Sequence, residues 1–152
     1  MSRRWLFKSE PDVFGWDALV GRGQAGEEWN GVRSAQARNL MRQMAVGDRG
    51  FFYHSNIGKQ IVGIVEVIAP AHPDSTDASG TWECVDLRAV APLARPLSLA
   101  EIKADPGLAD MVLVRNARLS VQPVTDGEWD RIVALSGGEA TDGRVYDGKT
   151  GD

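Results

Sequence analysis

Cysteine is almost missing from this chain of 152 residues: Cys84 is the only one, so no intrachain disulfide can form. No apolar run approaches the length of a membrane span. The opening Met1-Ser2-Arg3-Arg4 leads into no apolar stretch, so no signal peptide is expected. These absences point to a cytoplasmic protein with no membrane partner. Cys84 sits in an alternating apolar stretch and reads as an inert core thiol. Histidine is scarce too. His54, His72 and Cys84 show no ligand spacing, which predicts no metal site. Gly21-Arg22-Gly23 and Gly137-Gly138 lack the strand-then-helix context and the further glycine of a phosphate or dinucleotide loop, so no cofactor is expected.

The parts of an enzyme are equally thin. His54 and Ser55 are neighbours, but successive strand residues point to opposite faces and make a poor nucleophile–base pair. Glu10 and Asp12 flank Pro11, where carboxylates cap backbone N–H groups in turns. The chain is therefore read as a binding domain with no catalytic residue. The alternative is an enzyme on a nucleotide or small molecule, with Glu10 and His54 as acid and base.

What is present fits one compact domain, with 43% hydrophobic and 25% charged residues. The net charge of −4 argues against a general nucleic-acid coat. Its distribution is uneven: residues 1–63 carry +3 and residues 64–152 carry −7. A local basic surface on an acidic protein suits a binder of a few nucleotides.

Strands are expected over 5–8, 49–55, 60–69, 82–90 and 119–122, the last ended by Pro123. Gly63 inside the third marks a bulge or a close backbone approach. Trp16, Leu19 and Val20 carry helical spacing, and 34–44 reads as a second helix. Gly21 to Glu28 and Pro70 to Gly80 read as loops. Ser98 to Glu101 and Thr125 to Glu128 are capping-box patterns that open helices. Asp105-Pro106-Gly107 stops the first, and a short helix or turn follows over 108–112. Separated strands with short helices and no regular βαβ alternation give an α+β class, a mixed β-barrel with short helices on its rim. The domain is expected to cover 1–136. Residues 137–152 form a glycine-rich tail outside the core.

Polar and aromatic groups concentrate in Lys8-Ser9-Glu10, Trp29 to Arg33, Arg38-Asn39, Tyr53 to Asn56 and Arg115 to Gln122. Such residues read base edges, stack on rings and hold phosphates. Taken singly, Trp29 also suits the core, Asn39 a helix brace, His54 a structural role, and Arg33 and Arg38 a solvated surface.

The stretches Trp5 to Asp12, Trp29 to Arg33, Gln36 to Asn39, Phe52 to Asn56, Ile61 to Ile64 and Arg118 to Val124 resemble the EVE domain family, in the family's order. The resemblance implies a PUA-like fold, related to YTH and ASCH domains. It also implies a pocket for a modified base, with DNA cytosine modified at carbon five leading and RNA as the alternative partner. The implied pocket draws on Ser9, Glu10, Trp29, Asn30, Val32, Arg33, Asn39, Tyr53, His54 and Ser55, walled by Leu119, Ser120 and Gln122, and residue type adds Arg38 as a ligand contact. Two departures stand out. Gly15 replaces the serine that begins the first helix in many members, and the 70–82 loop is short.

Overall fold

In the computed structural model, which describes residues 3–137, six strands form one mixed sheet. They are β1 (Arg4–Ser9), β2 (Glu27–Glu28), β3 (Arg49–His54), β4 (Gln60–Pro73), β5 (Glu83–Ser98) and β6 (Val121–Val124). Their order is β2-β5-β4-β3-β1-β6. The β1–β3 pair is parallel and the other pairs are antiparallel. The expected α+β class with short helices holds, and among the described residues the ladder runs from one edge strand to the other without closing into a barrel. Of the tail expected from 137 onward, all but Gly137 lies outside the described residues.

Alternation in the central strands divides the core in two. Trp5 and Phe7 of β1 and Phe52 of β3 join one buried cluster, together with Trp16, Trp29, Val65 and Leu87. Leu6 of β1, with Phe51 and Tyr53 of β3, joins the other, with Ile61, Ile64, Trp129 and Ile132. The second cluster is roofed by helices α4 (Leu99–Ala104), α5 (Val112–Arg115) and α6 (Asp126–Leu135). Both capping boxes form: Ser98 and Thr125 accept from the N3 backbone, and Glu101 and Glu128 return the contact. The first cluster is flanked by α1 (Pro11–Phe14), α2 (Trp16–Gly21) and α3 (Ala35–Met41).

Several boundaries moved for identifiable reasons. Pro123 does not end its strand. It sits inside β6 opposite Trp5, where an edge strand tolerates the missing N–H. The 70–80 loop shrinks to 74–82, because His72 and Pro73 still pair with Cys84 and Glu83. Strand β5 runs on to Ser98, past four shifts in register against β4. The helix read over 34–44 is confined to α3, and the 21–28 loop contains β2. Gly63 behaves as read. A Cβ there would lie 2.4 Å from the Trp16 ring, and the ladder shifts beside it.

Candidate functional site

The segment after β2 builds the site. Trp29 donates its backbone N–H to Val85 O at 2.8 Å, so the chain leaves the sheet edge at a fixed point. Gly31 then takes φ +86°, a left-handed turn that side chains resist. Its N–H donates to Asp74 Oδ2 at 2.8 Å, and Arg33 Nη1 donates to the same oxygen at 3.0 Å. Thr76 donates to Asp74 Oδ1 through both N–H and hydroxyl. Asp74 is only 1% exposed. Its burial pushes the carboxyl pKa up, but the donors from Thr76, Gly31 and Arg33 outweigh that and bring it down to about 2. One carboxylate thus holds residues 29–33 against the 74–82 loop. Ser34 follows and caps α3 by accepting from Ala37 N at 3.2 Å.

A cavity of about 520 Å³ opens beside this segment, lined by the end of β1, by α1, by 27–33 and by Ser120. Trp29 forms its aromatic wall. Its ring meets those of Phe7, Phe14 and Phe52 edge to face, at 5.8, 6.2 and 5.6 Å. The lining carries the carboxylate side chains of Glu10, Glu27 and Glu28 and the donor side chains of Lys8, Asn30 and Arg33. Glu28 Oε1 is steadied by the Ser75 hydroxyl at 2.5 Å and by Asn30 Nδ2 at 3.4 Å. Glu10 Oε1 has Asn56 Nδ2 at 3.4 Å. Lys8 donates its ammonium to Ala117 O, and burial pushes its pKa down.

Of the residues expected at the site, Ser9, Glu10, Trp29, Asn30, Val32, Arg33 and Ser120 line this cavity. Ser9 already donates its hydroxyl to Phe14 O at 2.6 Å. The others stand elsewhere. Arg38 lies on α3 with its guanidinium 5.3 Å from the Trp82 ring centre, and donates to Thr81 O. Asn39 Oδ1 accepts from Arg38 and Arg42 at 3.4 Å. Tyr53 belongs to the opposite cluster. His54 Nε2 accepts the Trp16 backbone N–H at 3.0 Å and so caps α2, replacing the helix-starting serine that Gly15 lacks. Burial holds the His54 pKa below its usual value despite nearby Asp17. Ser55 donates its N–H to Ser9 O at 2.9 Å. Leu119 is buried in the first cluster, and Gln122 is fully buried, donating to Leu119 O at 2.8 Å.

Sequence reasoning missed Val13, Phe14, Glu27 and Glu28 as lining residues. It also missed the role of Asp74, whose partners Gly31 and Arg33 lie more than 40 residues away. Sequence spacing also gave no sign that Glu28, His72 and Cys84 bring one donor atom each within 4.8 Å of one another. The strand ladder makes the group, by placing His72 opposite Cys84.

The EVE domain family model matches residues 3–135. The chain belongs to the EVE domain family. Thymocyte nuclear protein 1 of Gallus gallus is 37% identical over 86% of this chain and 67% of its own length. A crystal structure of a protein from Agrobacterium tumefaciens superposes with a TM-score of 0.89 at 51% identity, covering 96% of this chain and all of that one. Human thymocyte nuclear protein 1, in complex with DNA containing 5-methylcytosine, superposes with a TM-score of 0.82 at 34% identity, over 91% of this chain and 99% of that one. An ASCH protein from Zymomonas mobilis, 14% identical with a TM-score of 0.54, shares the fold alone. Among the described residues, no helix of this EVE domain is long and apolar enough to cross a membrane.

Proposed function

We propose that this EVE domain binds DNA by holding one flipped base, a cytosine modified at carbon five, in the cavity beside Trp29, and does no chemistry on it. The observation that carries the reading is the lining itself: an aromatic wall with carboxylates and donors around one opening. The exocyclic amine of cytosine offers donors, and Glu10 can accept from it. Phe14 and Trp29 give the ring a wall, and a carbon-five methyl filling an apolar niche adds about 0.8 kcal/mol. The human relative bound to 5-methylcytosine DNA supports the choice of guest. In this reading Arg33 and Arg38 serve the flanking phosphates. Asn39 braces Arg38, while His54, Ser55, Leu119 and Gln122 hold the wall from behind, and Tyr53 stands beneath Lys8 on the other face. An acid–base role for Glu10 and His54 gains no support, since the His54 lone pair is spent on the Trp16 N–H.

The test is fluorescence anisotropy with short oligonucleotides carrying plain, methylated or hydroxymethylated cytosine, as DNA and as RNA, at two salt concentrations. Trp29 is 7% exposed and packed among three rings, so the informative variant there is Trp29→Phe, which keeps a ring in place. The expected result is a DNA preference and up to about tenfold tighter binding of the methylated base. Glu10→Gln should weaken binding of every cytosine about tenfold, the worth of a charge-assisted hydrogen bond. Equal binding of methylated and plain DNA at matched salt would sink the reading, and tighter binding of RNA would redirect it.

A further inference from the structure

We propose that Glu28, His72 and Cys84 form a binding site for a divalent transition-metal ion of the zinc class, at the end of the β2–β5–β4 ladder. Register puts His72 opposite Cys84 and Glu28 opposite Asp86, and Cys84 and Asp86 are two residues apart in β5. All four side chains therefore share one face of the sheet. One donor atom each from Glu28, His72 and Cys84 lies within 4.8 Å of the other two. Ligand atoms around tetrahedral zinc stand roughly 3.5 Å apart, so an ion would draw these three in by about an ångström.

Thiolate, imidazole and carboxylate together suit zinc and its neighbours, and suit magnesium or calcium poorly. A hydrogen bond to a second carboxylate orients the imidazole, as metal-binding histidines require. His72 Nε2 lies 2.7 Å from Asp86 Oδ1, which leaves Nδ1, 3.9 Å from Glu28 Oε2, as the ligand nitrogen. Without an ion, Nδ1 shares its proton with Pro73 O at 3.0 Å. The ion takes the place of that proton and of the thiol proton. Glu28 is held ready: Ser75 occupies Oε1, and Oε2 is the oxygen facing His72.

Glu28, Asp74 and Asp86 place negative charge around Cys84, with Arg33 opposing, and carboxylates beside the site favour a dication. The His72 and Glu28 side chains are 33% and 21% exposed, so the fourth coordination position faces water. The buried thiol and the solvent-facing imidazole and carboxylate thus meet around one point.

The test uses the metal-stripped full chain and the metal alone, so it stands or falls apart from the base-binding reading. Titration with Co²⁺ should saturate at one equivalent with a thiolate-to-cobalt charge-transfer absorption in the near ultraviolet, and one equivalent of Zn²⁺ should displace it. Cys84→Ser should abolish that absorption, and His72→Gln should weaken Zn²⁺ at least tenfold. Asp86→Asn should weaken Zn²⁺ about tenfold or more, as loss of an orienting partner does. His72 and Asp86 are part-exposed, so these two variants keep the fold, checked by circular dichroism, even if Cys84→Ser does not. Absence of charge-transfer absorption in the wild type would overturn the site. So would Zn²⁺ affinity unchanged by His72→Gln, since the ion would then sit on scattered carboxylates.

Discussion

The two faces of one sheet solve opposite problems. On the face of Leu6 and Phe51, three helices close over the core. Phe51 and Trp129 stack at 4.0 Å, two capping boxes fix the helix starts, and Arg131 clamps Asp105 through Nε at 3.0 Å and Nη2 at 2.8 Å. On the face of Phe7 and Phe52 the rings meet edge to face, and the chain from Trp29 to Arg33 crosses without helix or strand beside a cavity. That segment is held by Asp74. Stacking and capping give a closed, stable side. Edge-to-face packing and one buried carboxylate give a side that can keep an opening without collapse.

The largest effects come from the rings at adjacent positions. Phe51 and Phe52 are both fully buried, so truncation of either to Ala should cost about 3–5 kcal/mol in urea unfolding. Binding should separate them. Phe52→Leu removes a ring that bears on Trp29 at 5.6 Å and should reduce the modified-base preference, while Phe51→Leu should leave it unchanged. Equal effects on binding would mean that the two faces are not independent.

Acid should next unfasten the cavity face. The Asp74 pKa lies at about 2, below the usual carboxyl value of 3.8. A depressed carboxyl stabilises the fold fully above its unfolded pKa and loses that contribution as pH falls from about 4 through about 2. The shift corresponds to about 2 kcal/mol. Asp74→Asn should lower stability by a similar amount at neutral pH and flatten this acid limb, and it should raise amide exchange at Gly31. Protected Gly31 exchange in the variant would show that the 29–33 segment holds itself.

The reverse asymmetry is smaller. Thr125→Ala and Ser98→Ala each remove a capping hydroxyl from the closed face and should cost about 1 kcal/mol. Neither should change oligonucleotide affinity at a temperature where the protein is folded.

Legibility in the sequence follows the same division. The closed face declares itself through local signals: the capping boxes at Ser98 and Thr125, and the Asp105-Pro106 stop, are short-range patterns and appear in the structure where read. The segments of the cavity wall were also readable, because family resemblance and residue type marked Ser9, Glu10 and 29–33. What joins them was not. Asp74 reaches Gly31 across 43 positions, and Glu28 meets His72 and Cys84 only through strand register. Likewise Gly15 shows locally that α2 lacks a side-chain cap, but nothing local shows that His54, 38 positions on from Trp16, fills the gap.

The smallest effect tests the outer edge of the cavity face. Arg38 stands between α3 and the 74–82 loop, over Trp82, and outside the cavity lining. If it meets a flanking phosphate, Arg38→Ala should weaken methylated and plain DNA alike, and reduce the slope of log affinity against log salt by about 1. Stability should shift by about 0.5 kcal/mol or less, since its bond to Thr81 O lies at the surface. A change in modified-base preference instead would place Arg38 with the base, and would mean that the guest reaches beyond the Trp29 wall towards α3.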